Sequence, residues 1–252
     1  MNKIEVYYVP MIDVDSVNYN AEEIKNSPFA FDNFIHPKRL SEIEDTKYEF
    51  YKCPAWNSWA SSSFVFYSQI DIDFYIKNNK ICSDNHPIEY LSKWITPSPE
   101  WLDGPCPVVQ MKQYMFFWTE EKNLWIEQTP FTNSILYSNI DLIPAHFPLS
   151  VWKRPVSFGF KVPTNRPVII KRGDPIYTIR FNTDEMSRYN LIPSHPSQEI
   201  LNESMDNVRH KYLSKDTSSW SLIEERLESQ VLEKKKSKCP FNFLWKDNAD
   251  KS

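Results

Sequence analysis

Between residues 63 and 77 the chain reads SFVFYSQIDIDFYIK. Phe64, Phe66, Ile70, Ile72, Phe74 and Ile76 hold even positions, whereas Gln69, Asp71, Asp73 and Lys77 hold odd ones. A helix would spread these residues around its circumference, but an extended strand sorts them onto two faces because successive side chains point in opposite directions. An apolar strand face must be covered, so this stretch commits the chain to β-structure. Asn78 and Asn79 follow directly, and asparagine tolerates positive φ, so KNNK is expected to turn the strand back through KICSD.

Other segments repeat the pattern. KIEVYYV near the start, VVQMKQYMFFW, LWIEQTPF after an EEKN turn, VSFGFKVP and the pair within RPVIIKRGDPIYTIRF all read as strands. Pro155, Pro163, Pro167 and Pro175 suit strand starts or edges. LSEIED suggests a short helix, and the Pro-rich passage HPIEYLSKWITPSPEWLDGPCP a loop with at most one helical turn. Glycine occurs three times in 252 residues. One glycine, Gly173, stands third in KRGD, where a type II turn requires positive φ, and Pro175 then opens the next strand.

The character changes after Ser197. Leu201, Met205, Val208 and Tyr212 recur at helical spacing, and Trp220, Ile223, Leu227 and Val231 form a second such run. The expected architecture is mainly β: an antiparallel β-sandwich or distorted jelly roll over 1–195, a helical appendix of two amphipathic helices over 196–236, and a tail over 237–252.

Composition narrows the function classes. A formal net charge of −4 gives no general attraction to nucleic acid or to an anionic membrane, leaving only local patches for such a role. The N-terminus lacks an apolar leader, and no run of about 18 apolar residues occurs, so no membrane association and a cytoplasmic setting are expected. Cys53, Cys82, Cys106 and Cys239 are too widely spaced for a zinc knuckle and read as free, buried thiols. GxGxxG, P-loop, HExxH, GxSxG and the HxH and HxD metal motifs are all absent.

Asp71 and Asp73 form the strongest local constellation. Two residues apart on a strand, their carboxylates share a face with Gln69; in a cavity they can do acid/base work or hold a hard cation, and in water they are merely a polar face. Cys53 precedes the strand and His86 follows its hairpin return, so thiol and imidazole can meet near one sheet end, with Asp71, to hold iron, copper or zinc. Trp56 and Trp125 are the candidate aromatic walls for a substrate, against the alternative of core packing.

The order KCPAW, QIDID, HP, LWIEQTPF, IIKRGDPIYTIRF resembles a widespread family of uncharacterised proteins of tailed phages, notably marine ones. It carries Cys53, Pro54, Asp71, Trp125, Thr129, Pro130, Gly173 and Pro175; Ala55, the Val65–Tyr67 step and Asp174 depart from that family's pattern. The resemblance implies a phage-encoded protein acting in the cytoplasm of an infected bacterial host. Two functions are expected of it. One is a metal-dependent oxidising or hydroxylating enzyme with Asp71 and Asp73 as catalytic groups, Cys53 and His86 as ligands, and an aromatic or amide-containing small molecule or peptide as substrate. The other is a noncatalytic module engaging a host or virion protein; nucleic acid ranks behind both.

Overall fold

The computed structural model describes residues 2–11, 29–30, 32–43, 52–97, 107–131, 141–163, 166–183 and 187–213. The chain divides into two compact units, Met1–Met205 and Asp206–Ser252, and every contact described below lies within the first.

That unit is mainly β, built from curled sheets with few helices. One sheet runs in the order β14 (Ser187–Pro193), β1 (Asn2–Met11), β7 (Val108–Trp118), β11 (Val156–Lys161) and β9 (Asp141–Leu142), with β6 (Ile95–Pro97) also on β7. A second runs β10 (Ala145–Pro148), β8 (Trp125–Pro130), β13 (Pro175–Asn182), β3 (Ser63–Tyr67) and β2 (Lys38–Arg39). A third consists of β12 (Val168–Ile170), β4 (Ile72–Lys77) and β5 (Lys80–Cys82). Among the described pairs only β1 with β14 is parallel.

Alternation places the core. On β7, Val109, Met111, Met115 and Phe117 join the main cluster, whereas Phe116 faces the other way onto Val9 and Met11. Ile200 of α4 (Gln198–Leu213) packs against that second face, which is how a helix with one apolar stripe covers a sheet. Rings from the two larger sheets meet in the main cluster: Phe66 with Phe117 at 5.8 Å, Phe117 with Phe181 at 6.2 Å and Phe158 with Tyr177 at 5.0 Å between centroids. Such contacts add to the area that these residues remove from water.

The apolar set of the 63–77 stretch is buried as its period implies, yet the stretch is not one strand. β3 belongs to the second sheet and β4 to the third, and the chain breaks at Ser68–Asp71. The cause is a buried polar knot. The Ser68 N–H donates to the Asp174 carbonyl (2.9 Å), the Gln69 N–H to Gln113 Oε1 (3.1 Å), and the Gln69 amide to the Ile35 and Tyr67 carbonyls (3.1 and 3.0 Å). Gln69 is therefore a core residue at 2% exposure, not a neighbour of Asp71 and Asp73 on a polar face.

The turns follow their chemistry. Asn78 and Asn79 have φ of 50° and 57° and join Lys77 to its partner Lys80 in a two-residue hairpin. Gly173 has φ of 93°, and the Asp174 N–H donates to the Lys171 carbonyl at 3.0 Å, closing the turn that its position implies. LSEIED supplies α1 (Leu40–Ile43), whereas the Pro-rich passage, expected as loop with at most one helical turn, forms α3 (Ile88–Trp94), about two turns long, and the strand β6. Six elements had no expectation: α2 (Pro54–Ser61), with proline at its first position, and the strands β2, β6, β9, β10 and β14. Cys53 is exposed and Cys82 half-buried, contrary to the buried reading. Cys106, Cys239 and the helix expected from Trp220 to Val231 lie outside the described residues.

Candidate functional site

The expected acidic edge forms a corner between β4 and the loop that leads from β5 into α3. Asp73 pairs across the ladder with Ile169 of β12, and its carboxylate accepts hydrogen bonds from the Ser83 hydroxyl and from Asn85 Nδ2 (2.7 Å). His86 Nε2 stands 3.8 Å from the same carboxylate, and the imidazole stacks on Tyr90 with ring centroids 4.7 Å apart. Burial works against the charged carboxyl, but the Ser83 and Asn85 bonds and the fields of His86 and Lys171 outweigh it and hold Asp73 below its ordinary value. This corner thus unites Asp73 with His86. The hairpin at Asn78 and Asn79 does it by folding the chain back on itself.

Ser83 does not complete a nucleophilic triad. Its hydroxyl donates to Asp73 rather than to the histidine, and its oxygen accepts the backbone N–H groups of Asn85 (3.1 Å) and His86 (3.0 Å). A triad needs the hydroxyl on the imidazole and the carboxylate behind it. Asp71 is also engaged elsewhere: its carboxylate accepts the Arg172 N–H (2.8 Å) and its carbonyl the Tyr90 hydroxyl (2.9 Å). It lies just before β4, is exposed, and anchors the Gly173 turn.

Cys53 caps the start of α2, where the N–H groups of Trp56 and Ala55 hold its thiol below the ordinary cysteine value. Among the described residues no group of three or more His, Cys, Asp or Glu side chains converges to hold a metal ion, so Cys53 does not join Asp73 and His86. The tryptophans part as well. Trp56 packs with Trp59 and Tyr67 against Leu40, Ala60, Val65 and Phe131, while Trp125 stacks on His146 with centroids 4.7 Å apart.

A second place was not visible in the sequence. A cleft of about 1170 Å³ lies where the ends of β1 and β14 meet β13, β2 and α2. Its walls carry Lys3, Arg39, Arg180 and Arg188 amid serine, threonine and asparagine side chains, with no carboxylate among the described lining residues. Arg39 is structural: it lies 4.8 Å from the Phe64 ring centroid and donates to the Ser61 carbonyl and to the Tyr189 carbonyl (2.7 Å), tying β2 to β14. Arg180 Nη1 meets Glu127 Oε2 at 3.4 Å.

Lys3 and Arg188 differ from these. They are direct partners in the parallel β1–β14 ladder, both exposed, and no carboxylate of the described residues pairs with either. Adjacent strands lie roughly 4.8 Å apart, so two like charges stand side by side at a net cost. Tyr189, next to Arg188 on β14, is buried in the main core cluster and also lines the cleft.

No helix among the described residues is long and apolar enough to cross a membrane. A scan of protein-family models and searches of curated proteins and of solved structures return no match to this chain.

Proposed function

We propose that this chain is a binding protein for a polar, anionic ligand and that the cleft between β1, β14, β13 and α2 is its site. The observation that carries this reading is the Lys3–Arg188 pair, two cations side by side that no carboxylate of the described residues pairs with, in a hydroxyl- and amide-lined cleft that has no described carboxylate. A protein keeps such a repulsion where something else relieves it, and an anion does so with charge-assisted hydrogen bonds. The chain as a whole is negative, so attraction is local to the cleft.

Titration calorimetry with inorganic pyrophosphate at low ionic strength tests the reading. Binding is expected, weakened by added salt, and reduced at least ~10-fold when Lys3→Glu and Arg188→Glu are combined. No binding at millimolar pyrophosphate in low salt would overturn it.

The metal-dependent oxidation or hydroxylation expected from the sequence is the second reading, and the Asp73–His86 approach at 3.8 Å favours it. It has two donors of a centre for iron, copper or zinc, and the oxygens of one already accept hydrogen bonds from Ser83 and Asn85. In the same proposal the protein is one of tailed phages acting in the bacterial cytoplasm, on a distorted β-sandwich or jelly roll, a reading that the motif order and the mainly β fold support.

A further inference from the structure

Resting on the anionic-ligand reading, we infer that the ligand is a nucleotide, with its base stacked at Trp125 and His146 and its phosphates at Lys3 and Arg188. The argument begins with the outward face of the second sheet. Strand register sets its residues in rows: Pro148, Trp125 and Asn182 in one; His146, Glu127, Arg180 and Ser63 in the next; Thr129, Thr178 and Val65 in a third. Trp56, Trp59 and Ala60 of α2 pack at Val65 and the Trp59 carbonyl accepts the Ser63 hydroxyl, so the helix covers the third row and the Ser63 end of the second. With Pro148 buried as well, Trp125, Asn182, His146, Glu127 and Arg180 are the residues of the first two rows left at least partly exposed.

Those two rows combine flat rings with hydrogen-bonding edges. Trp125 and His146 are nearly parallel, at 27°, and His146 is exposed. Asn182 faces Trp125 across the ladder and also lines the cleft, so aromatic platform and cleft adjoin. Glu127 Oε2 lies 3.4 Å from Arg180 Nη1 and 3.5 Å from Asn182 Nδ2. That carboxylate neutralises Arg180 locally, which makes this end suited to an uncharged ring and leaves the anionic end to Lys3 and Arg188.

The two ends are linked through neighbouring residues of β13 and β14. Thr183, next to Asn182, has its hydroxyl 3.3 Å from the Ser187 hydroxyl and 3.0 Å from that of Tyr189, so β13 and β14 stay close beside the cleft. The mode of phosphate binding also fits the composition. A chain with three glycines has no glycine-rich loop to wrap phosphates in backbone N–H groups, and long cationic side chains perform that role instead. Stacking accepts any base because each has a π-face, and Asn182 and Glu127 offer partners for its edge.

The test compares ADP, pyrophosphate and glucose 6-phosphate by titration calorimetry on the full chain, as wild type, Trp125→Ala and Trp125→Phe, with melting curves to establish folding. ADP is expected to bind about 10-fold more tightly than pyrophosphate, with glucose 6-phosphate gaining nothing from its sugar. Trp125→Ala should bring ADP to the pyrophosphate level without altering pyrophosphate binding, and Trp125→Phe should keep most of the preference. Pyrophosphate binding with no ADP preference, equal preference for the sugar phosphate, or a Trp125→Phe variant as weak as Trp125→Ala would overturn the nucleotide assignment and leave the anion cleft standing. Failure of pyrophosphate itself would overturn both.

Discussion

The corner at Asp73 and the cleft at Lys3 and Arg188 both gather polar side chains at the edge of a sheet, and they do so in opposite ways. At the corner the groups satisfy one another: Asp73 accepts from Ser83 and Asn85, Ser83 accepts from two backbone N–H groups, and His86 rests on Tyr90. In the cleft the exposed cations face each other without a described counter-charge. Closed polar networks hold a loop in place; open ones of a single sign await a partner. Side-chain chemistry therefore says less than saturation does. The Asp–His pair is the more familiar constellation, yet its hydrogen-bonding capacity is largely consumed by the protein.

The largest expected effect breaks the corner. Asp73→Ala removes a charged acceptor from Ser83 and Asn85 and should cost about 2 kcal/mol in urea unfolding at neutral pH, whereas Arg188→Ala should stay within about 0.5 kcal/mol. Equal costs would erase the contrast between a saturated and an open site. Next comes the backbone beside the corner: Gly173→Val forces a β-branched residue to φ near 93° and should cost roughly 1–3 kcal/mol, although a Cβ there would meet only Ile35 Cδ1 at 3.9 Å. The penalty is conformational, so Gly173→Asn should recover part of it.

The smallest effect is a pH dependence. Asp73 is held below its ordinary value in the folded chain, so its contribution is complete above the unfolded aspartate value of about 3.9 and fades as pH falls through the lower, folded one. Asp73→Asn should flatten this acid limb in urea unfolding measured between neutral pH and pH 3, and an unchanged limb would assign the loss to other carboxylates.

Legibility in the sequence followed separation along the chain. That His86 returns to the acidic strand could be foreseen because only twelve residues and one hairpin separate it from Asp73, and Asn78 and Asn79 announce that hairpin by their tolerance of positive φ; the partner it meets is Asp73, where Asp71 was expected. The break at Ser68–Asp71 could not. Gln69 looks polar in a polar register, and its burial depends on hydrogen bonds with Gln113, Ile35 and Arg172, all distant in sequence, besides the one to Tyr67. Cys53 failed to reach the corner because Pro54 starts a helix there, and that helix packs on the second sheet at Val65. β14 escaped notice because SRYNLIP has weak alternation and pairs parallel to a strand at the other end of the chain.

The sequence by itself determined that this chain is mainly β, which side chains of its strands turn inward, and where Asn78, Asn79 and Gly173 reverse the backbone. Those properties arise from steric limits and from side-chain alternation between neighbours along the chain. Tertiary structure alone decided which strands share a sheet, that Lys3 stands beside Arg188, and that Arg180 and Asn182 connect the cleft to Trp125. Such juxtapositions depend on long-range pairing, whose register is set by the burial of a whole face and leaves no mark at any single position.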